Sequence, residues 1–274
     1  MPQLDRPFSL RIVPLDKVVL HETVDPKRVK RLAQRLEVDD VLVNPPIVVE
    51  AGDHYVVLDG ATRTTALKQL GYPHTVVQLV LPNDNLRLRT WYHTIRGSDP
   101  ARLIKRIDDL PEIVMVEHES SKALGAVLER KRLCYLHTIE DRIFLVQAVP
   151  GVHDLDALNE VTKTYIDTSH LTRTLTTEMD TLRHEYPDLT ALVVFPRYTV
   201  EQVLQIARAG RLLPSGITRF IIPGRVLRVN IDLDYLKSDR SLREKNEWLD
   251  QLMVAKLAQG NIRYYEEPVY LLDE

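Results

Sequence analysis

The stretch best suited to chemistry runs Val56-Val57-Leu58-Asp59-Gly60-Ala61-Thr62-Arg63-Thr64-Thr65-Ala66-Leu67. Apolar, β-branched residues lead up to Asp59, a glycine follows, and a helical pattern then places Ala66, Leu67 and Leu70 on one face. The first amides of a helix have no intrahelical acceptor and carry partial positive charge, so such a junction can seat a phosphate. Gly60 lets the backbone approach an anion closely, and Arg63, one turn in, adds a fork of donors to it. The same pattern also describes a purely structural strand–turn–helix junction with Asp59 as a plain N-cap.

The flanking elements must hold this junction in place. Residues 10–15 and 18–20 read as strands, and Asp25-Pro26 opens a helix in which Val29, Leu32, Ala33 and Leu36 recur at helical spacing. The basic run 28–35 reads as the wet face of that helix. Residues 46–50 and 54–59 read as two strands joined at Ala51-Gly52-Asp53, the second helix closes near Gly71, and 75–81 is a further strand. Beyond Pro82 a helix at 98–110, a strand at 112–118, a helix at 121–131 and a hairpin around Glu140-Asp141 follow. Helices at 154–167 and 176–186, a strand at 189–195 and a helix ending at Gly210 come next. Alternating strands at 216–233, a polar helix over 239–258 and the tail 261–272 complete the pattern. Short linkers suggest boundaries near 90 and 190, giving blocks 1–90, 91–190 and 191–274 of a mixed α/β, or α+β, protein.

Composition narrows the function classes. In 274 residues, 36 basic side chains stand against 39 acidic ones, for a formal net charge of -3. Proteins that coat nucleic acid usually carry a basic excess, so that role is disfavoured. Cys134 is the only cysteine, which excludes an intramolecular disulfide framework and any multi-cysteine metal site. It alternates with Leu133 and Tyr135 and reads as a buried, inert thiol. The nine histidines are scattered without ligand spacing. The opening residues lack a secretory pattern and no apolar run reaches ~18 residues, so a cytoplasmic, soluble protein without a membrane partner is expected.

Gly60-Ala61-Thr62-Arg63-Thr64-Thr65-Ala66 matches the G-x-x-R-x-x-A motif of the ParB/sulfiredoxin-like superfamily, whose members bind nucleoside di- or triphosphates at this helix. Pro46-Ile47-Val48-Val49 and the opening from Val13 to Pro26 are similar to the same layout. Within that superfamily the chain resembles the free L-serine kinases, both the archaeal enzyme and its bacterial relative from the staphyloferrin B siderophore cluster. The resemblance covers Leu20-His21-Glu22, Asp39-Asp40, Asp59-Gly60 and Thr90-Trp91 with His93. It continues in Pro214-Ser215-Gly216-Ile217-Thr218-Arg219-Phe220 and Gly224-Arg225. The resemblance implies a ParB/sulfiredoxin-like nucleotide-binding domain followed by mixed α/β domains. It also implies Mg²⁺-dependent phosphoryl transfer from ATP or ADP to L-serine, in the supply of amino-acid-derived or siderophore-type precursors.

Phosphoryl transfer to a hydroxyl needs a carboxylate to take the proton, a divalent ion and donors around the phosphates. Glu22, between a short strand and the helix at Pro26, is expected as the base, its side chain able to face the Asp59 loop. Asp59 is expected as the carboxylate for Mg²⁺ or for orienting the substrate, within a nucleotide-binding set of Asp59, Gly60, Ala61, Thr62 and Arg63. Glu22 could equally be a solvated carboxylate favoured by the helix dipole. For the amino acid, Thr218 and Arg219 are expected at the carboxylate and Trp91 and His93 along the wall, with Arg225 a further candidate. The alternatives are a sheet with one wet face for Thr218 and Arg219, a core anchor for Trp91 and a solvated turn for Arg225. The compared kinases carry a histidine where this chain has Thr62, which can donate a hydrogen bond but supplies no charge. A competing reading is a nucleotide-gated, DNA-associated regulator or a non-catalytic nucleotide sensor. Partition ParB proteins place a helix-turn-helix domain after the nucleotide module, whereas residues 99–148 here mix helices, strands and a hairpin.

Overall fold

A computed structural model describes residues 8–80, 85–118, 132–166 and 170–264. The chain folds as a mixed α+β protein and divides into two compact units. One contains residues 1–19, 26–85 and 222–274, the other residues 20–25 and 86–221. This division differs from three consecutive blocks with boundaries near 90 and 190. Long-range strand and helix packing returns the C-terminal residues to the first unit, and sequence periodicity carries no information about such partners.

The first unit is built on a five-stranded sheet of β1 (Ser9–Pro14), β2 (Val18–Val19), β4 (Ile47–Ala51), β5 (His54–Asp59) and β6 (His74–Val80), in the order β1-β6-β4-β5-β2. The β1/β6 and β4/β5 pairs are antiparallel, and the β4/β6 and β2/β5 pairs are parallel. Val48, Val56, Val57, Val76 and Val77 are completely buried, as continuous apolar runs in a covered sheet require. Two helices, α1 (Pro26–Asp39) and α2 (Ala61–Gln69), pack on each other, α1 turning Val29, Ala33 and Leu36 inward at helical spacing. The short strand β3 (Val41–Leu42), not anticipated from the sequence, pairs with the much later β15 (Ile231–Asp232).

Two helices from the C-terminal part, α7 (Leu233–Lys237) and α8 (Leu242–Ala258), complete this unit. Ser241 and Glu244 form a capping box at the start of α8, fixing its first turn. Asn246 clamps β1, its side chain accepting from the Ile12 amide and donating to the Ile12 carbonyl, both at 2.9 Å. The fully buried Lys245 ammonium donates to the carbonyls of Leu236 and Ser238 and to His74 Nδ1. Three acceptors satisfy all three of its protons, which is what makes burying that group tolerable.

The second unit holds a six-stranded antiparallel sheet. Its strands are β8 (Tyr92–Arg96), β9 (Ile113–His118), β10 (Cys134–Thr138), β11 (Ile143–Ala148), β12 (His170–Thr174) and β13 (Leu189–Val194), in the order β12-β8-β13-β10-β11-β9. The expected hairpin around Glu140-Asp141 is the β10/β11 pair. Helices α3 (Pro100–Asp108), α4 (Asp154–Ile166), α5 (Met179–Glu185) and α6 (Val200–Arg208) match the remaining helical patterns in this unit. The helix expected at 121–131 and most of the C-terminal tail lie outside the described residues. A separate antiparallel pair, β7 (Arg87–Thr90) with β14 (Thr218–Ile221), sets Thr90 opposite Thr218 and Arg89 opposite Arg219. No described helix is long and apolar enough to cross a membrane.

Candidate active site

In the first unit, β5 delivers Asp59 to the start of α2 through Gly60. Gly60, not Asp59, is the N-cap, with φ 97° and no side chain capping the helix. A Cβ at Gly60 would stand 3.0 Å from both Arg63 Nη2 and the Pro46 Cα. Only glycine suits both the backbone conformation and the space. The first helical bond runs from the Thr64 amide to the Gly60 carbonyl, so the Ala61, Thr62 and Arg63 amides precede the helical ladder, as a phosphate seat requires.

The carboxylate of Asp59 serves the arginines instead of the cap. Its Oδ2 accepts from Arg63 Nη2 at 3.1 Å and from Arg225 Nη1 at 2.8 Å. Burial alone would raise the Asp59 carboxyl, but the Arg63 and Arg225 guanidinium groups outweigh it and hold the group below its ordinary value. Arg63 Nη1 also donates to the carbonyls of Asn44 at 2.7 Å and Pro45 at 3.0 Å, tying the chain before β4 to the helix. Much of the guanidinium expected for a phosphate is thus engaged in building the turn. Arg225, expected among the amino-acid-binding residues, belongs to this unit and meets Asp59. The Gln78 side chain steadies the Arg225 turn on both sides, donating to the Gly224 carbonyl and accepting from the Val226 amide.

Glu22 belongs to the second unit. Its segment forms an isolated parallel bridge with Leu213: the Leu213 amide donates to the His21 carbonyl and the Thr23 amide to the Leu213 carbonyl. The Ser215 amide adds a bond to Thr23 Oγ1 at 3.0 Å. This pairing sets the Glu22 carboxylate against the loop entering β14, where Oε2 accepts from the Gly216 amide at 3.1 Å and from Thr218 Oγ1 at 3.3 Å. Thr218, expected at a substrate carboxylate, is therefore occupied with Glu22 and with His21 Nε2, 2.8 Å away.

Trp91 and Arg219 form a second group. The Trp91 amide donates to the Ile217 carbonyl, and the Arg219 guanidinium lies 4.4 Å from the centre of the indole ring, in cation–π contact. His93 differs from its expected place along a pocket wall: it is completely buried. Its Nε2 donates to the Gly216 carbonyl at 3.2 Å, and its Nδ1 accepts from the Tyr165 hydroxyl at 3.0 Å. Burial lowers its pKa to about 4; the Gly216 bond opposes that shift and the Arg173 charge adds to it. His93 thus braces the loop that carries the Gly216 amide. Arg173, which sequence reasoning passed over, lies so close to Gly216 (φ 76°) that a Cβ there would collide with its guanidinium. The resemblance through Leu20-His21-Glu22 was the sequence signal for His21, and nothing local pointed to Arg173.

Among the described residues no group of three His, Cys, Asp or Glu side chains could hold a metal ion by itself. No protein-family model matches the chain. The ATP-dependent L-serine kinase SbnI of Staphylococcus aureus is 27% identical over 270 residues, covering 97% of each chain. The ATP-dependent L-serine kinase of Staphylothermus marinus is 26% identical over 242 residues, covering 82% of this chain and 90% of its own. The chain is similar to ATP-dependent L-serine kinases. Solved structures share its fold. C-terminally truncated SbnI superposes with a TM-score of 0.67 at 22% identity, covering 90% of this chain and 97% of its own. A free serine kinase in complex with AMP gives 0.73 at 18% identity, covering 86% of this chain and 98% of its own.

Proposed function

We propose that this chain is a kinase that transfers the terminal phosphoryl group of ATP to the hydroxyl of free L-serine, giving O-phospho-L-serine and ADP. The reading rests above all on the extent of the similarity, which takes in 97% of this chain and of SbnI. In this reading the amides at the start of α2 and the side chains of Thr62 and Arg63 hold the nucleotide phosphates, with Arg225 beside them. Glu22 is the general base. Two donors fix its Oε2, and the other oxygen takes the serine proton as the new O–P bond forms and the bond to ADP breaks. Trp91 and Arg219 line the amino-acid side, Arg219 offering its fork to the carboxylate.

Magnesium commonly binds through one or two carboxylates together with substrate phosphates, so a single aspartate suits it without a protein cage. Asp59, which accepts from Arg63 and Arg225 at Oδ2, is the carboxylate that would hold the ion. Bound there, Mg²⁺ would neutralise charge on the phosphates. Thr62, in place of the histidine of the compared kinases, provides a hydroxyl donor at the phosphates but no proton.

The test is incubation with L-serine, Mg²⁺ and, separately, ATP, ADP or CTP, with phosphoserine read by mass. The proposal expects phosphoserine with ATP, and its absence with every donor would overturn the assignment.

A further inference from the structure

Glu22 does not stand alone: a buried histidine lies behind one of the two donors that fix it. His21 is 1% exposed, and its ring packs edge-on against Phe220 at 5.4 Å between centres. Its Nε2 lies 2.8 Å from Thr218 Oγ1, which lies 3.3 Å from Glu22 Oε2. A direct His21–Glu22 hydrogen bond is out of reach, with Nε2 and Oε2 3.9 Å apart.

Hydrogen-bond accounting sets the direction of this chain. A threonine hydroxyl has one proton to give and lone pairs with which to accept. If Thr218 gave its proton to His21, an oxygen lone pair would face the Glu22 carboxylate. If Thr218 gives it to Glu22, its oxygen is free to accept, and His21 must then carry hydrogen on Nε2. The second arrangement satisfies Thr218 Oγ1, His21 Nε2 and Glu22 Oε2 together. It also directs a polarised donor at the carboxylate, because a hydroxyl that accepts a hydrogen bond donates more strongly. Resting on the reading of Glu22 as base, we infer that His21 is a positioning residue that sets the Glu22 carboxylate through the Thr218 hydroxyl.

The two donors to Glu22 Oε2 then have separate buried supports. His93 holds the Gly216 peptide from its carbonyl side, and His21 holds the Thr218 hydroxyl. Losing one donor lets the carboxylate rotate while the other still tethers it, so turnover should fall without loss of nucleotide affinity. Misplacing a reacting group by about 1 Å can cost about 100-fold in rate.

A double-mutant cycle on His21→Leu and Thr218→Val, with His21→Gln beside it, tests the coupling in steady-state phosphorylation of L-serine. Each single variant should lower kcat by roughly 10- to 100-fold while KM for ATP stays within about twofold. The double variant should fall no more than about threefold below the worse single one, because His21 acts on Glu22 only through the Thr218 hydroxyl. His21→Gln, whose amide can donate from a position near that of Nε2, should recover kcat to within about fivefold of the parent. Multiplying losses in the double variant, or a His21→Gln variant as slow as His21→Leu, would overturn the inference.

Nitrogen-15 chemical shifts of the His21 ring give a reading independent of turnover: Nε2 must be of the protonated type, and a bare lone pair there refutes the wiring. Should His21→Leu fail to fold, Thr218→Val, His21→Gln and the ring shifts still decide the matter. Unchanged turnover in Glu22→Gln would instead defeat the base assignment, whatever the ring shifts show about the hydrogen-bond chain.

Discussion

Acidification from pH 7.5 to 4.5 should expose the cost of keeping His93 neutral. The ring is completely buried, donates from Nε2 to a carbonyl and accepts at Nδ1 from the Tyr165 hydroxyl. Protonating Nδ1 would force that hydroxyl to turn and would place a second cation near Arg173. Accordingly the folded-state pKa drops from the ordinary 6.5 to about 4. With the folded value depressed, the unfolded chain binds the proton first, so the stabilisation is complete above pH 6.5 and is lost as pH falls toward 4. Each pH unit in that window is worth up to about 1.4 kcal/mol, and the whole window about 3 kcal/mol. His74 and His137 are shifted in the same direction by burial and contribute to the same slope, so a comparison isolates His93. Urea unfolding of the parent and of His93→Gln, at half-unit steps from pH 7.5 to 4.5, measures it. The variant is expected to be less stable at pH 7.5, having lost a fitted ring, but to show a much flatter dependence on pH. Parallel curves for the two proteins would refute the argument that this ring is held neutral by its surroundings.

Gly60→Ala should destabilise the protein by roughly 1–3 kcal/mol, since φ 97° is strained for alanine and the Pro46 backbone cannot yield as a side chain would. The same variant should weaken ATP binding in calorimetry, and unchanged affinity would count against the α2 start as phosphate seat. Glu22→Gln should keep its affinity for ATP while turnover falls by roughly 100- to 10,000-fold, measured by phosphoserine formation. Cys134 is completely buried and its thiol is pushed up by that burial, so a disulfide reagent should leave it untouched in the native protein and titrate one thiol after unfolding. Rapid labelling under native conditions would contradict the buried placement.

The strand–glycine–helix junction was legible because its signals are local. A β-branched run, a glycine and a 3.6-residue pattern within sixteen positions specify β5, Gly60 and α2, and Asp59 and Arg63 meet because they are four residues apart. The helix opening at Pro26 and the hairpin at Glu140-Asp141 were readable for the same reason. The two-residue strand β3 was not, since its existence depends on a partner nearly two hundred positions away. The family resemblance reached Glu22, Thr218 and His93 as members of a site but assigned them no neighbours. Within the second unit, one loop gathers all three: Gly216 and Thr218 hold Glu22, and His93 holds Gly216.

The amino-acid order alone therefore determined the mixed α+β class, the strand–glycine–helix turn at Gly60 and the side-chain types present at it. Tertiary structure decided that Arg225 reaches Asp59 across 166 positions, that His21 reaches Thr218 across 197, and that His93, expected at a substrate pocket, is buried behind the Gly216 peptide. The physical reason is that hydrophobic periodicity encodes which face of an element is buried but not which other element covers it. Only the packed chain brings those donors and acceptors to hydrogen-bonding distance.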